Sequence, residues 1–143
     1  MSANTAVEWH SKVADEFDSM YQHSSLFKER YGIWTKTIEK YSDPKYRVFD
    51  IGCGSGVFSL YLAKMNGEVV GIDGSRDMIN ICETKKSQMG LKNVEFIEAD
   101  INNLEKLSLK KADLIICSSV LEYLNDIDKT LGDISSLLKD CGV

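Results

Sequence analysis

One proline, two histidines, no CxxC pair and no excess of positive charge are the shortages of this 143-residue sequence. The four cysteines, Cys53, Cys82, Cys117 and Cys141, are widely spaced, and only His10 and His23 could join them, so a structural zinc site is not expected. They read as small apolar residues in a reducing compartment. Lys and Arg total 17 against 22 Asp and Glu, a formal charge of -5, which offers no general electrostatic attraction to nucleic acid or an anionic membrane. No stretch approaches eighteen consecutive apolar residues, so no membrane-spanning helix is expected. The opening residues run into Glu8 and Trp9 without an apolar core of the secretory kind, so no cleaved secretion signal is expected and the chain reads as cytoplasmic. What is present is ordinary for a globular protein: 43% apolar and 27% charged residues, enough for one compact domain, with no repeat or low-complexity tract.

Two patterns divide the chain. Phe27, Tyr31, Trp34, Ile38 and Tyr41 recur at steps of four, three, four and three, which predicts a helix with all five on one face, preceded by a shorter amphipathic helix carrying Val13, Phe17 and Met20 or Tyr21. The stripe reads as core. Asp43-Pro44 ends this helical cap of residues 1–43, since proline disfavours helical geometry in the residue before it. From residue 44 onward strands and helices alternate. RVFDI at 47–51, EVVGI at 68–72, VEFIE at 94–98 and ADLIIC at 112–117 predict strands. Between them, Val57, Leu60, Tyr61 and Lys64 predict a helix stopped by Asn66-Gly67. Met78, Ile79 and Cys82 predict another, N-capped by Ser75 and ended near Gly90. Ile127, Leu131, Ile134 and Leu138 predict a final helix ending near Lys139. This alternation implies an α/β, Rossmann-like doubly wound parallel sheet with right-handed crossovers.

The chemistry concentrates in Asp50-Ile51-Gly52-Cys53-Gly54-Ser55-Gly56. A glycine-rich turn between a first parallel strand and a helix lets a nucleotide-like ligand approach the backbone. The dinucleotide fingerprint needs its third glycine at position 57, which is Val57; here the third is Gly56. That spacing, and a carboxylate at Asp50 that repels a pyrophosphate, argue against a nicotinamide-dependent oxidoreductase. Asp50 suits an ammonium or a sulfonium instead. Asp73, 21 residues beyond Gly52 and followed by Gly74-Ser75, stands where a carboxylate accepts both ribose hydroxyls. Asp100-Ile101 ends the third strand; with Met78 it describes an adenine pocket, the carboxylate accepting from the exocyclic amine. Each acid also has a plainer reading, as a turn-ordering or solvated loop residue, but three carboxylates on successive strand tips are far more specific than one.

With Cys117-Ser118-Ser119-Val120-Leu121-Glu122-Tyr123-Leu124 after the fourth strand, these segments resemble the class I S-adenosylmethionine-dependent methyltransferases of the small-molecule branch, over residue 45 to the end. The resemblance implies S-adenosyl-L-methionine as cofactor and S-adenosyl-L-homocysteine as product. It places the methionine part against Asp50, Gly52, Cys53, Gly54 and Gly56, the ribose at Asp73 and Gly74, and the adenine at Met78, Asp100 and Ile101. Ser118 would offer its backbone, and Tyr21 would close over the methionine end. The transfer it implies is an in-line displacement onto a small-molecule acceptor, for which alignment and water exclusion matter most. No catalytic residue is named; Glu122-Tyr123 is the local candidate on the acceptor side, with tyrosine where related sequences often have histidine, and His10 and His23 have no identifiable partner. The family's sheet has seven strands, whereas this sequence stops at Cys141-Gly142-Val143, where a fifth would start. The expectation is a truncated N-terminal portion with strand order 3-2-1-4, its fourth strand an apolar edge through which copies could self-associate. The alternative is a non-catalytic module that binds the cofactor or its product, or a partner subunit of that kind.

Overall fold

The computed structural model describes residues 3–143. Three helices lead: α1 (Ala3–Lys12), α2 (Ala14–His23) and α3 (Ser25–Tyr41). The alternating part follows as β1 (Arg47–Ile51), α4 (Val57–Leu62), β2 (Glu68–Asp73), α5 (Arg76–Met89), β3 (Val94–Glu98), β4 (Leu114–Cys117) and α6 (Ile127–Ser136), with short 3-10 turns at Ile101–Lys106 and Leu121–Tyr123. The four strands form one parallel sheet, as the alternation implied, in the order β3-β2-β1-β4 that the family resemblance implied. Both faces are covered, which is why the strands read as apolar runs rather than alternating ones. Phe49, Ile51, Val70 and Ile72 pack with Leu104 and Leu137 on one side. Val48, Val69, Leu114 and Ile116 pack with Phe58 and Leu62 on the other. Ile38 of α3 belongs to this second cluster, so the leading helices and the sheet share one core.

The sequence expectation of two leading helices becomes three, because α1 and α2 are separated only by Val13 (φ -113°, ψ 14°), which neither glycine nor proline marks. Asn66 ends α4 as expected, but earlier and by its side chain: its Nδ2 donates to the Leu62 carbonyl at 2.9 Å and its Oδ1 accepts from the Asp43 N–H at 3.1 Å, tying the end of α3 to α4. The stripe on α3 is packed except at its end, where Tyr41 is exposed. The last helix departs further. Ile127 and Leu131, expected to be inward, are each 45% exposed, and the inward face is Thr130 (1% exposed), Ile134 and Leu137. Thr130 is accommodated because its Oγ1 donates to the Asp126 carbonyl at 2.9 Å. At the sheet edge, Val143 donates to the Asp113 carbonyl (3.0 Å) and accepts from the Ile115 N–H (2.7 Å), taking a parallel position against β4. Among the described residues no helix is long and apolar enough to cross a membrane.

Gly56 is held by packing. It has φ +78°, and a Cβ there would meet the Cys82 sulfur at 2.8 Å and the Phe96 ring at 3.3 Å. Gly32, in α3, has nothing within 4 Å of a Cβ position. Gly56→Ala therefore lowers the thermal midpoint by several degrees, since left-handed backbone alone costs alanine roughly 1–2 kcal/mol. Gly32→Ala raises stability by roughly 0.5–1 kcal/mol. Calorimetric melting of the two variants checks both signs.

Candidate functional site

The glycine turn leaves β1 and is sewn to the end of β2. The N–H groups of Gly52 and Cys53 both donate to the Ile72 carbonyl, at 2.7 and 3.0 Å, and the Gly54 N–H donates to Asp73 Oδ2 at 2.8 Å. The other Asp73 oxygen accepts from the Ser75 N–H at 2.8 Å, and the Ser75 hydroxyl in turn caps α5 by accepting from the Met78 N–H. Gly52 has φ +72°, and a Cβ on it would lie 2.0 Å from Val120, so the segment after β4 presses directly on the turn. Ser119, beside it, is a non-glycine residue with φ +58°, a conformation that the surrounding contacts must enforce.

Above the strand tips lies a cavity of about 820 Å³. It gathers eleven of the twelve residues that the sequence nominated: Tyr21, Asp50, Gly52, Cys53, Gly54, Asp73, Gly74, Met78, Asp100, Ile101 and Ser118. Gly56 is not among its walls; its place is behind the turn, against Cys82 and Phe96. Glu122 and Tyr123 also line the cavity.

The acids differ sharply in setting. Asp50 is fully buried in β1, between Gly71 and Ile116, and accepts from the Ser59 hydroxyl at 2.6 Å. Burial raises its pKa to about 7, against that hydrogen bond and helped by the neighbouring Asp73. Burial also raises Asp73, partly offset by its backbone donors. Asp100 sits at the exposed rim. Burial pushes its carboxyl up, but hydrogen bonds from Asn102 and Asn103 outweigh that and leave it below the usual range. Its Oδ1 accepts from Asn102 N and Nδ2, both at 2.9 Å, and its Oδ2 from Asn103 Nδ2. Asp100 thus caps the 3-10 turn, the plainer of its two sequence readings. The neighbouring Cys82 thiol, then burial, hold the Cys53 thiol well above its ordinary pKa, which disfavours the thiolate.

The leading helices roof this cavity. Phe17 reaches the turn, 3.6 Å from a Cβ position on Gly54, and packs edge-on against Tyr21 and Phe27. α1 is latched by the Ser11–Ser75 hydroxyl pair at 2.7 Å, and α2 by the Asp18–Lys85 ion pair. Two roof residues were missed from the sequence. His10 was left without a partner, yet its ring meets those of Phe17 and Tyr123 edge-on, at 5.7 and 5.4 Å, at the cavity wall. Burial lowers its pKa, although Asp73 and Glu122 pull the other way, so the imidazole is neutral near pH 7. Arg30 of α3 also enters the wall, where its Nη2 donates to the Ser118 hydroxyl at 2.6 Å. The sequence did hold a signal for Arg30: it lies three residues from Phe27 and four from Trp34, a cation inside the aromatic stripe.

A parallel sheet in this order, with a glycine turn and acidic strand tips beneath one cavity, defines a Rossmann-like ligand-binding domain of the kind that methyltransferases use. The chain belongs to the methyltransferase domain family, whose model matches residues 42–143. It is 30% identical over 133 residues to YqeM of Bacillus subtilis (strain 168), a candidate methyltransferase, covering 91% of this chain and 51% of that one. It is 34% identical over 98 residues to the ubiquinone biosynthesis O-methyltransferase of Pelagibacter ubique (strain HTCC1062), covering 68% and 39%. Among solved structures, YcgJ from Bacillus subtilis superposes with a TM-score of 0.70 at 26% identity, covering 80% of this chain and 48% of that one. The chain spans about half the length of the curated relatives it matches, or less.

The buried Asp50 sets a pH dependence for the ligand-free protein. Its folded pKa, about 7, lies above the unfolded carboxylate value, so the folded state holds a proton that the unfolded state releases. Stability is full below about pH 4 and falls as pH rises toward 7; Asp73, also raised, acts in the same direction. Asp50→Asn keeps an acceptor for Ser59 and removes the charge. In urea titrations at pH 5 and pH 8 the variant loses less stability between the two than the wild type, the difference being roughly 1.4 kcal/mol per unit of pKa elevation crossed.

Proposed function

We propose that the cavity binds S-adenosyl-L-methionine and releases S-adenosyl-L-homocysteine, and that this chain is the donor-binding portion of an enzyme that methylates a small-molecule acceptor. The observation that carries this reading is Asp50, a fully buried carboxylate with no cationic partner among the described residues, beneath a glycine turn at the floor of the cavity. A ligand with a fixed positive charge restores the ionised form that burial disfavours, whereas a pyrophosphate brings charge of the wrong sign. The Ser55 hydroxyl, buried in the same wall without a hydrogen-bond partner, is a further unmet polar group there.

In this assignment Asp50 and the turn at Gly52, Cys53 and Gly54 hold the methionine part, with Tyr21 and Ser118 closing that end. Asp73 and Gly74 take the ribose; Met78 and Ile101 flank the adenine at the rim marked by Asp100. Gly56 contributes by fixing the turn. When bound, the sulfonium supplies an electrophilic methyl carbon. The chain's part is alignment and exclusion of water, and the aromatic roof of Phe17, Tyr21 and Phe27 serves both; such alignment contributes roughly 7–11 kcal/mol in favourable cases. On the acceptor side stand Glu122, Tyr123 and His10, whose imidazole burial keeps in the neutral form that can accept a proton. The net charge of -5 favours a small molecule over nucleic acid as acceptor.

Isothermal titration of the chain with both adenosyl compounds tests the reading. Each binds one-to-one, and Asp73→Asn weakens both by roughly 1.5–3 kcal/mol through the lost hydrogen bonds to a charged acceptor. NADH gives no heat. Failure of both adenosyl compounds to bind overturns the proposal, whereas binding without turnover of any acceptor leaves the chain as a cofactor-binding module.

A further inference from the structure

We infer that the methyl acceptor of this cavity is a cationic amine on an aromatic frame, recognised by Glu8 and Glu122 and by the rings of Trp9 and Tyr123, where α1 meets the segment after β4. The inference rests on the donor reading above and deepens it, by naming the charge and chemical class of the acceptor.

The argument starts from an imbalance of charge. Six carboxylates line the cavity, those of Glu8, Asp50, Asp73, Glu98, Asp100 and Glu122, against one guanidinium, Arg30. Four of the acids and the guanidinium are engaged elsewhere. In the donor reading Asp50 and Asp73 lie beneath the adenosyl compound. Asp100 accepts from Asn102 and Asn103, Glu98 pairs with Arg76, and Arg30 donates to Ser118. Glu8 and Glu122 are what is left. Both are exposed at the cavity wall, and neither is in an ion pair among the described residues. Burial keeps the nearby His10 imidazole neutral, although Asp73 and Glu122 pull the other way, so it neither offsets these acids nor repels a cation. That the space is a ligand site and not a gap between helices is marked independently by the buried Ser55 hydroxyl, which lines it without a hydrogen-bond partner.

The surrounding walls decide what kind of cation fits. The His10 ring meets Trp9, Phe17 and Tyr123 edge-on, with centroids at 4.9, 5.7 and 5.4 Å, and all four residues line the cavity. Trp9 is 48% exposed rather than packed away. Indole and phenol faces carry the negative part of the ring quadrupole and attract organic ammonium groups. A metal ion is a poorer match, because among the described residues no three acids, histidines or cysteines are grouped to hold one. An acceptor bearing a carboxylate or phosphate would meet two unpaired acids of its own sign. A bound ammonium must shed a proton before its nitrogen can attack. The neutral His10 accepts that proton, the freed lone pair forms the N–C bond, and the C–S bond breaks with its electrons kept by sulfur.

The test loads the chain with S-adenosyl-L-homocysteine and titrates it, at pH 7.5, with three compounds on one phenethyl frame: phenethylamine, 2-phenylethanol and 3-phenylpropanoate. The amine binds about three- to thirtyfold more tightly than the alcohol, the range of one exposed ion pair with one cation–π contact. The carboxylate gives no heat. Glu122→Gln weakens the amine about two- to fivefold and leaves the alcohol unchanged, and adding Glu8→Gln removes more of the preference. Glu122→Lys reverses the order, so that 3-phenylpropanoate binds more tightly than phenethylamine. Circular dichroism melts and titration with S-adenosyl-L-homocysteine establish that each variant is folded and loaded.

The inference is overturned if the loaded wild type binds the alcohol as tightly as the amine, prefers the carboxylate, or binds none of the three. It is overturned equally if Glu122→Gln weakens amine and alcohol alike, because the residue then shapes the wall and does not read charge. Failure of S-adenosyl-L-homocysteine to bind the wild type sinks the donor reading itself, a result distinct from any of these.

Discussion

Three backbone N–H groups in a row, those of Gly52, Cys53 and Gly54, are consumed by the end of β2: two by the Ile72 carbonyl and one by the Asp73 carboxylate. This stitching is the constraint on which the rest of the site depends. It turns the chain so tightly that no side chain fits at Gly52, where Val120 closes in, and it delivers the chain into α4 through a left-handed Gly56. It also spends donors that a phosphate-binding turn would leave free for its ligand. What the turn offers a ligand is therefore shape and close backbone approach, with charge left to the side chains around it.

Those side chains are arranged with a bias of sign that the fold itself does not favour. Asp50 is buried beneath the turn and Asp73 is half-buried beside it, each with its pKa raised. An uncompensated buried carboxylate costs stability in the ligand-free protein at neutral pH. Hydrogen bonds from Ser59, Gly54 and Ser75 reduce that cost without removing it. A site of this kind is stabilised by a cationic ligand more than a neutral cavity is, because ligand binding and ionisation of Asp50 assist one another. Structure and ligand are thus coupled through one proton.

Much of this was legible in the sequence, for identifiable reasons. Buried parallel strands are short apolar runs, and the spacing of a glycine turn is set by local backbone geometry. The parallel sheet, the glycine turn and the acids at the strand tips were accordingly readable from pattern, while the strand order and the contacts at Tyr21, Gly74 and Ser118 came with the family resemblance. The failures share a different cause. Gly56 was grouped with its neighbours because pattern cannot distinguish a glycine facing a ligand from one facing Cys82. Asp100 lies at the cavity rim, as its place at a strand tip suggested, but pattern did not show that its oxygens also accept from Asn102 and Asn103, two and three residues on. On α6 the apolar spacing of Ile127 and Leu131 pointed inward, but Thr130 satisfies its hydroxyl against its own helix and takes the buried position. His10 and Arg30 lie on helices far in sequence from the residues they meet, Tyr123 and Ser118, and periodicity within one helix says nothing about which strand tip it will cover.

That last failure shows where individuality resides in this architecture. The sheet supplies a floor that many chemistries share, so fold alone leaves the acceptor open. The roof is different. Phe17, Tyr21 and Phe27 form one edge-to-face aromatic cluster over the turn, and His10 continues it from Phe17 to Tyr123, in the segment after β4. The helices that carry these rings are fastened at a few polar points, Ser11 to Ser75 at the start of α5, Asp18 to Lys85 on α5, and Arg30 to Ser118 after β4. Each fastening joins a roof residue to a group at or beside the cavity rather than to the distant core. Because the same helices also pack into the core through Ile38, Tyr31 and Trp34, these polar points set the position of the aromatic wall over the strand tips rather than the attachment of the roof itself.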